Sequence, residues 1–143
     1  MAASPVQTVG TAAPIPDPTP EASAAAAPLA PFACAAAFCY PRLGITGAVV
    51  PYSDCTGHSD IGSEIVELTC TTPTYLIGHA YTQFGRIVNW QAGDEVWVYG
   101  DRYAVYGAVM TRCGAWPPPL GGRLRMQTSL TSGCGPVLVV LAH

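Results

Sequence analysis

From Leu43 onward the chain is cut into short β-branched and aromatic runs, and this fragmentation limits its fold more than any other feature. Ile45 to Pro51 is one run, and Thr74 to Ile77, ending at Gly78, is another. Glu95 to Tyr99 (EVWVY) alternates, with Val96 and Val98 on one face, and Tyr103 to Met110 (YAVYGAVM) alternates again. Gly100-Asp101-Arg102 joins these two as a hairpin turn. Leu124 to Ser129 and Val137 to Ala142 complete the set, and clusters of Gly, Pro, Ser and Thr separate the runs. The best helical candidate is Thr82 to Trp90, while Phe32 to Tyr40 (FACAAAFCY) reads as one or two helical turns packed on the domain. About six to eight short strands, with turns about every 8 to 12 residues, predict an all-β barrel or sandwich.

The first 31 residues obey a different rule. Seven of the 14 Pro lie there, four of them at alternate positions (Pro14, Pro16, Pro18, Pro20), followed by Ala24 to Ala27. The segment has no Lys, Arg or aromatic residue. Pro removes ladder and helix donors, and too little apolar surface remains to offset chain entropy. Residues 1–31 are therefore expected to be a disordered linker, a semi-stiff polyproline II spacer, and residues 32–143 the folded domain. Met1 to Gly10 lacks the positive start and apolar core of a secretory signal.

Charge excludes whole classes of partner. Only 10 % of residues are charged, the net charge is -3, and all six basic residues are Arg. No basic stripe exists for nucleic acid, and no polybasic cluster for an anionic membrane. No apolar run approaches the roughly 20 residues of a membrane-spanning helix.

The six Cys stand at 34, 39, 55, 70, 113 and 134. No CxxC pair or zinc-type Cys-His spacing is present, so no metal site is expected. An even count points to disulfides and an oxidising compartment. Cys55 with Cys70 is the favoured pair, since the two bracket a loop of weak strand character; Cys113 with Cys134 is second. Cys34 with Cys39 is sterically possible but makes a tight ring.

Tyr75 to Tyr99 reads YLIGHAYTQFGRIVNWQAGDEVWVY. It resembles the central segment of sortases, the cysteine transpeptidases that attach proteins to Gram-positive cell walls. The matching parts are Leu76-Ile77-Gly78-His79, Phe84, Ile87 to Trp90, and Gly93-Asp94-Glu95-Val96. Upstream, Leu43 to Ser53 is similar to the first sortase strands, and Arg102 to Val109 to the strand after the hairpin. The resemblance covers about residues 43 to 142. It implies a sortase-like closed β-barrel and a secreted or cell-surface setting. No cofactor is implied.

The resemblance also implies a catalytic set, and here the chain departs from it. His79 matches the family's His. The family's nucleophile ends a Thr-Leu-x-Thr-Cys strand; the matching segment is Arg125-Met126-Gln127-Thr128-Ser129, with Ser in place of Cys. The family's Arg opens the last strand, and no Arg lies between Ser129 and His143. A thiol with a free pKa of about 8.5 reaches useful thiolate levels near neutrality. A hydroxyl needs an adjacent base, which His79 supplies only if near Ser129 and oriented by a third group. Losing an oxyanion donor typically costs roughly 10²- to 10³-fold in rate.

Other residues compete for the site. On an extended strand Arg125, Gln127 and Ser129 share a face, as a polar row beside His79 or as solvated strand residues. Cys134, between Gly133 and Gly135, is an accessible thiol or a disulfide partner. Gly78 and Thr128 flank the matched positions, and Trp116-Pro117-Pro118-Pro119 is a stiff loop that borders the substrate groove in a sortase-like fold. Asp54, His58 and Asp60 form a polar turn, a weak cation site at most. Three functions follow. One is a binding module for a peptide or cell-wall component in a groove whose catalytic site has degraded. Another is a residual transpeptidase or hydrolase using His79 with Ser129 or Cys134. The last is an unrelated disulfide-stapled β-domain.

Overall fold

The computed structural model describes residues 33–56, 61–115, 121–131 and 135–143. The Pro/Ala-rich segment 1–31, His58, Asp60, the Trp116 to Pro119 loop and Cys134 lie outside the described residues. Nine strands form one sheet: β1 (Phe38–Tyr40), β2 (Ile45–Gly47), β3 (Val49–Tyr52), β4 (Ile65–Leu68), β5 (Thr74–Ile77), β6 (Glu95–Val98), β7 (Asp101–Arg112), β8 (Leu124–Ser129) and β9 (Pro136–Ala142). Their order is β2-β1-β6-β7-β9-β8-β5-β4-β3. The two ends of that order, β2 and β3, are separated in sequence by Ala48 alone, and the sheet wraps into a nearly closed barrel. Most neighbours are antiparallel; β3 with β4 and β5 with β8 are parallel.

Residue pattern explains the layering. β8 alternates strictly: Leu124, Met126 and Thr128 are buried, while Arg125, Gln127 and Ser129 are half-exposed. β9 lies between β7 and β8 and is buried on both faces from Val137 to Ala142, so it reads as a continuous apolar run. The main core fills the barrel with Phe38, Tyr40, Leu76, Phe84, Val96, Met126 and Val140, among others. A second cluster, built on Tyr75, Val137, Val139, Leu141 and Leu68, covers the opposite face of the same strands.

Cys55 and Cys70 form a disulfide across 15 residues, tying the crossover between β3 and β4 to the turn after β4. Loop closure of that length stabilises a domain by roughly 3 kcal/mol in the chain-entropy model. Cys34 and Cys39 are also bonded, closing the tight ring. Cys113 is disulfide-bonded as well, to a partner outside the described residues.

Several local expectations change. Nine strands replace six to eight. The end of the Phe32 to Tyr40 segment is a strand rather than a helical turn: Phe38 and Tyr40 point into the core, and β1 pairs with both β2 and β6. The hairpin turn begins one residue early and is one residue shorter, at Tyr99-Gly100, where both φ values are positive (52° and 86°), as a type I′ two-residue hairpin loop requires. Asp101 and Arg102 consequently pair with Val98 and Trp97. The helix expected over Thr82 to Trp90 is a 3-10 helix, η2, over Gln83–Asn89, the second after the one-turn 3-10 helix η1 at Pro41–Leu43. Among the described residues no helix is long and apolar enough to cross a membrane.

Candidate functional site

The backbone that carries His79 is built by close packing. β5 ends at Ile77, and a Cβ on Gly78 would lie 2.5 Å from the Phe84 ring. A Cβ on Gly85 would lie 2.2 Å from the Ala80 carbonyl oxygen. Glycine at both positions lets η2 fold back onto the segment after β5. The Thr82 hydroxyl caps that helix, accepting from the Phe84 N–H at 3.2 Å, and donates to the His79 carbonyl at 2.7 Å. Gly78 is buried and Phe84 is fully buried, so the turn before His79 is fixed from beneath. The His79 ring is half-buried and stacks on Tyr81, with centroids 5.0 Å apart. Tyr81 is 75 % exposed, and its hydroxyl donates to the Gly62 carbonyl.

Strand register sets what stands beside His79. In the parallel β5–β8 pair, Thr74 faces Leu124 and Ile77 faces Gln127. The ladder runs one step further, the Gly78 N–H donating to the Gln127 carbonyl at 3.1 Å. His79 and Ser129 therefore emerge at one level, at the C-terminal ends of neighbouring strands about 4.8 Å apart. Val137 pairs with Ser129, and Thr111 with Val137. A transverse row thus reads His79, Ser129, Val137, Thr111.

Paired residues share a face. Ser129, Gln127 and Arg125 pair with Val137, Val139 and Leu141, all members of the second apolar cluster. The three polar side chains of β8 thus rise from one face, with an apolar floor on either side. The Tyr75 hydroxyl donates to Gln127 Oε1 at 2.5 Å. Burial holds the Tyr75 phenol well above its usual pKa, and the Arg125 guanidinium partly offsets this. Arg125 is four residues from Ser129, about 13 Å along the strand. It belongs to the Tyr75 end of the face, not to the His79 end. Thr128 points the other way, into the barrel; it is 0 % exposed and its hydroxyl has no hydrogen-bond partner.

A second polar cluster, with no warning in the local sequence, surrounds Asp94. Its carboxylate accepts from the Tyr40 hydroxyl (2.5 Å), from Arg42 Nε (2.5 Å) and Nη2 (2.6 Å), and from the Gln91 N–H (2.8 Å). Burial alone would raise the Asp94 pKa, but these donors outweigh it and hold the carboxyl below the usual range. Burial, then the Asp94 acceptor, push the Tyr40 phenol far up. The cluster pins β1, the turn Pro41–Leu43, η2 and the start of β6 together. Gly93-Asp94 was visible in the sequence only as part of the sortase-like pattern.

Of the residues singled out from sequence, His79 follows β5 and Ser129 ends β8, the strand paired with β5; Gln127 and Arg125 share the Ser129 face, and Gly78 and Thr128 are buried. Trp116 and Cys134 are outside the described residues. Among the described residues no cysteine is free, and no group of three or more His, Cys, Asp or Glu side chains could hold a metal ion.

The fold matches solved sortase structures. Sortase C-1 from Actinomyces oris superposes with a TM-score of 0.55 at 16 % identity, over 73 % of this chain and 70 % of that one. Sortase C-3 from Streptococcus pneumoniae gives 0.58 at 15 %, over 74 % and 60 %. Sortase C from Clostridium perfringens, solved with the C-terminal cell wall sorting motif, gives 0.52 at 14 %, over 73 % and 66 %. The chain thus spans 60 to 70 % of the length of these proteins. No family model and no curated protein matches the chain. The likeness is one of fold: this is a sortase-like β-barrel domain.

Proposed function

We propose that this sortase-like domain binds an extended peptide or a cell-wall component in the groove beside His79, outside the cytoplasm, and that its transpeptidase chemistry has degraded. The observation that carries this reading is the register of β5 and β8. It sets a hydroxyl, Ser129, level with His79, where the sortase resemblance implies a thiol. Every described cysteine is in a disulfide, so the described residues supply no thiolate from another position. A neutral serine beside an imidazole stacked on Tyr81 keeps hydrogen-bonding capacity but loses most of the nucleophilicity of a thiolate. The apolar floor of Val137, Val139 and Leu141 and the polar head of Gln127 suit a chain that alternates apolar side chains with backbone amides. Disulfides suit an extracellular or cell-surface setting.

The second reading, residual acyl transfer or hydrolysis, draws on the same adjacency: His79 would act as base for Ser129. The two readings part on a covalent probe. A hydroxyl-reactive and a thiol-reactive probe are incubated with the chain, and modified residues are mapped by mass spectrometry. The binding reading expects no label at Ser129 or Cys134. Label at either residue that disappears in His79→Ala overturns it in favour of the enzyme.

A further inference from the structure

The packed turn after β5 fixes the backbone of His79 and leaves its ring plane open. The Thr82 N–H donates to the His79 carbonyl at 3.1 Å and closes the turn His79–Thr82. A histidine ring still rotates about its last torsion, where the preference is broad and roughly two-fold. The plane is therefore set by what lies against the ring. Tyr81 lies against it, nearly parallel at 17°. Offset stacking of this kind is attractive beyond the area it buries.

Tyr81 is itself held at both ends. Its backbone sits in the same turn, and its hydroxyl donates to the Gly62 carbonyl at 3.0 Å. Strand register explains that tether. Val66 pairs with Ile77 and Glu67 with Leu76, antiparallel. Carried past the strand ends, the same register sets Gly62 opposite Tyr81. Gly62 has a φ of 61°, a left-handed conformation that suits glycine. It stands in a turn closed by the Glu64 N–H on the Ile61 carbonyl, just before β4. Tyr81 is largely exposed, so burial does little to hold its ring; the tether and the turn do.

A stack covers a face of the imidazole. Both ring nitrogens lie in the ring plane, so stacking leaves their donor and acceptor chemistry intact. Fixing the plane fixes the directions in which those nitrogens donate or accept. A ligand-facing imidazole needs that preorganisation. We propose that Tyr81 is the positioning residue of the His79 site: tethered to Gly62, it holds the imidazole in one plane for a ligand bound beside Ser129. Tyr81 acts on that ligand through His79. The ligand half of the proposal rests on the groove-binding reading; the ring half does not, and the test separates them.

The full chain is labelled with ¹³C and ¹⁵N, and the His79 ring signals are assigned by their loss in His79→Ala. A stacked aromatic ring displaces those proton signals upfield by its ring current. The expected result is displaced signals in the wild type and ordinary positions in Tyr81→Leu, with the urea midpoint nearly unchanged because Tyr81 is exposed. Tyr81→Phe keeps the ring, loses the tether and retains part of the displacement. His79 signals that stay in place in Tyr81→Leu overturn the proposal. If that variant does not fold, Tyr81→Phe decides: partial displacement supports the proposal and full displacement overturns it. An acetylated, amidated pentapeptide, Leu-Thr-Leu-Thr-Leu, is then titrated into each protein. Shifts at 78–79 and 125–129 are expected, with about fivefold weaker binding in Tyr81→Leu and about twofold in Tyr81→Phe. Equal affinity in all three overturns the positioning role and keeps the groove. A wild type that shows no shift at those residues overturns the groove, and the ring signals alone then decide for Tyr81.

Discussion

The Asp94 cluster and the His79–Ser129 strand end are both polar, and the domain treats them in opposite ways. Around Asp94, one carboxylate takes four donors from three residues in two segments. At the strand end the backbone is tightly packed, yet Ser129 is only half-buried, and the buried Thr128 hydroxyl has no partner. A fully satisfied polar cluster fixes structure. A packed backbone presenting half-buried polar groups is what a ligand site needs. The contrast separates Asp94, which ties β1 to the start of β6, from the strand-end groups that the proposed function gives to a ligand.

Breaking either side gives effects of different size. The largest is expected at the backbone under His79. Gly85→Ala drives a Cβ into the Ala80 carbonyl and destabilises the domain by about 3 kcal/mol, visible as a lower urea midpoint. Asp94→Ala is next, at about 2 kcal/mol, because it strands the Tyr40 hydroxyl and the Gln91 N–H. The Arg42 side chain is 38 % exposed, so solvent replaces part of its loss. At about 4–8 °C per kcal/mol, thermal denaturation resolves this readily.

The same carboxylate sets an acid limit. Its folded pKa lies below the unfolded value of about 3.9, so its contribution is complete above that value and is lost as pH falls through the folded one. Melting temperature measured from pH 7 down to pH 2 should show a drop on the acid side of about pH 4, and Asp94→Asn should flatten that drop. On the other side of the comparison, Thr128→Val removes a buried hydroxyl that bonds to nothing, and is expected to raise stability by about 1 kcal/mol. Ser129→Ala is the smallest, within about 0.5 kcal/mol in denaturant melts, since Ser129 is only half-buried. A large loss there would mean that Ser129 is structural and would erase the contrast.

Legibility followed the reach of each signal. β5 and β8 were readable to the residue, because Thr74 to Ile77 ends at a glycine and β8 alternates without exception. The sortase-like fold was legible from the order of His79, Phe84 and Gly93-Asp94. β1 was misread because three residues among alanines and cysteines carry no period, and only pairing with β2 and β6 makes them a strand. β4 went unread because its four residues are too few to show a period. The hairpin turn moved because Tyr99, not a glycine, takes a left-handed conformation. The Asp94 cluster could not be foreseen, since Tyr40 and Arg42 lie 54 and 52 residues away from it. Adjacency of His79 and Ser129 needed the parallel register, which no single segment encodes.

The central claim is that the His79–Ser129 face binds a wall-type ligand without turning it over. Its most direct test titrates a wall-sorting peptide into the ¹⁵N-labelled chain while the peptide is followed by mass spectrometry. The account predicts shifts at 78–79 and 125–129 with the peptide recovered intact. Shifts confined to surfaces remote from His79, or a cleaved peptide, would contradict it.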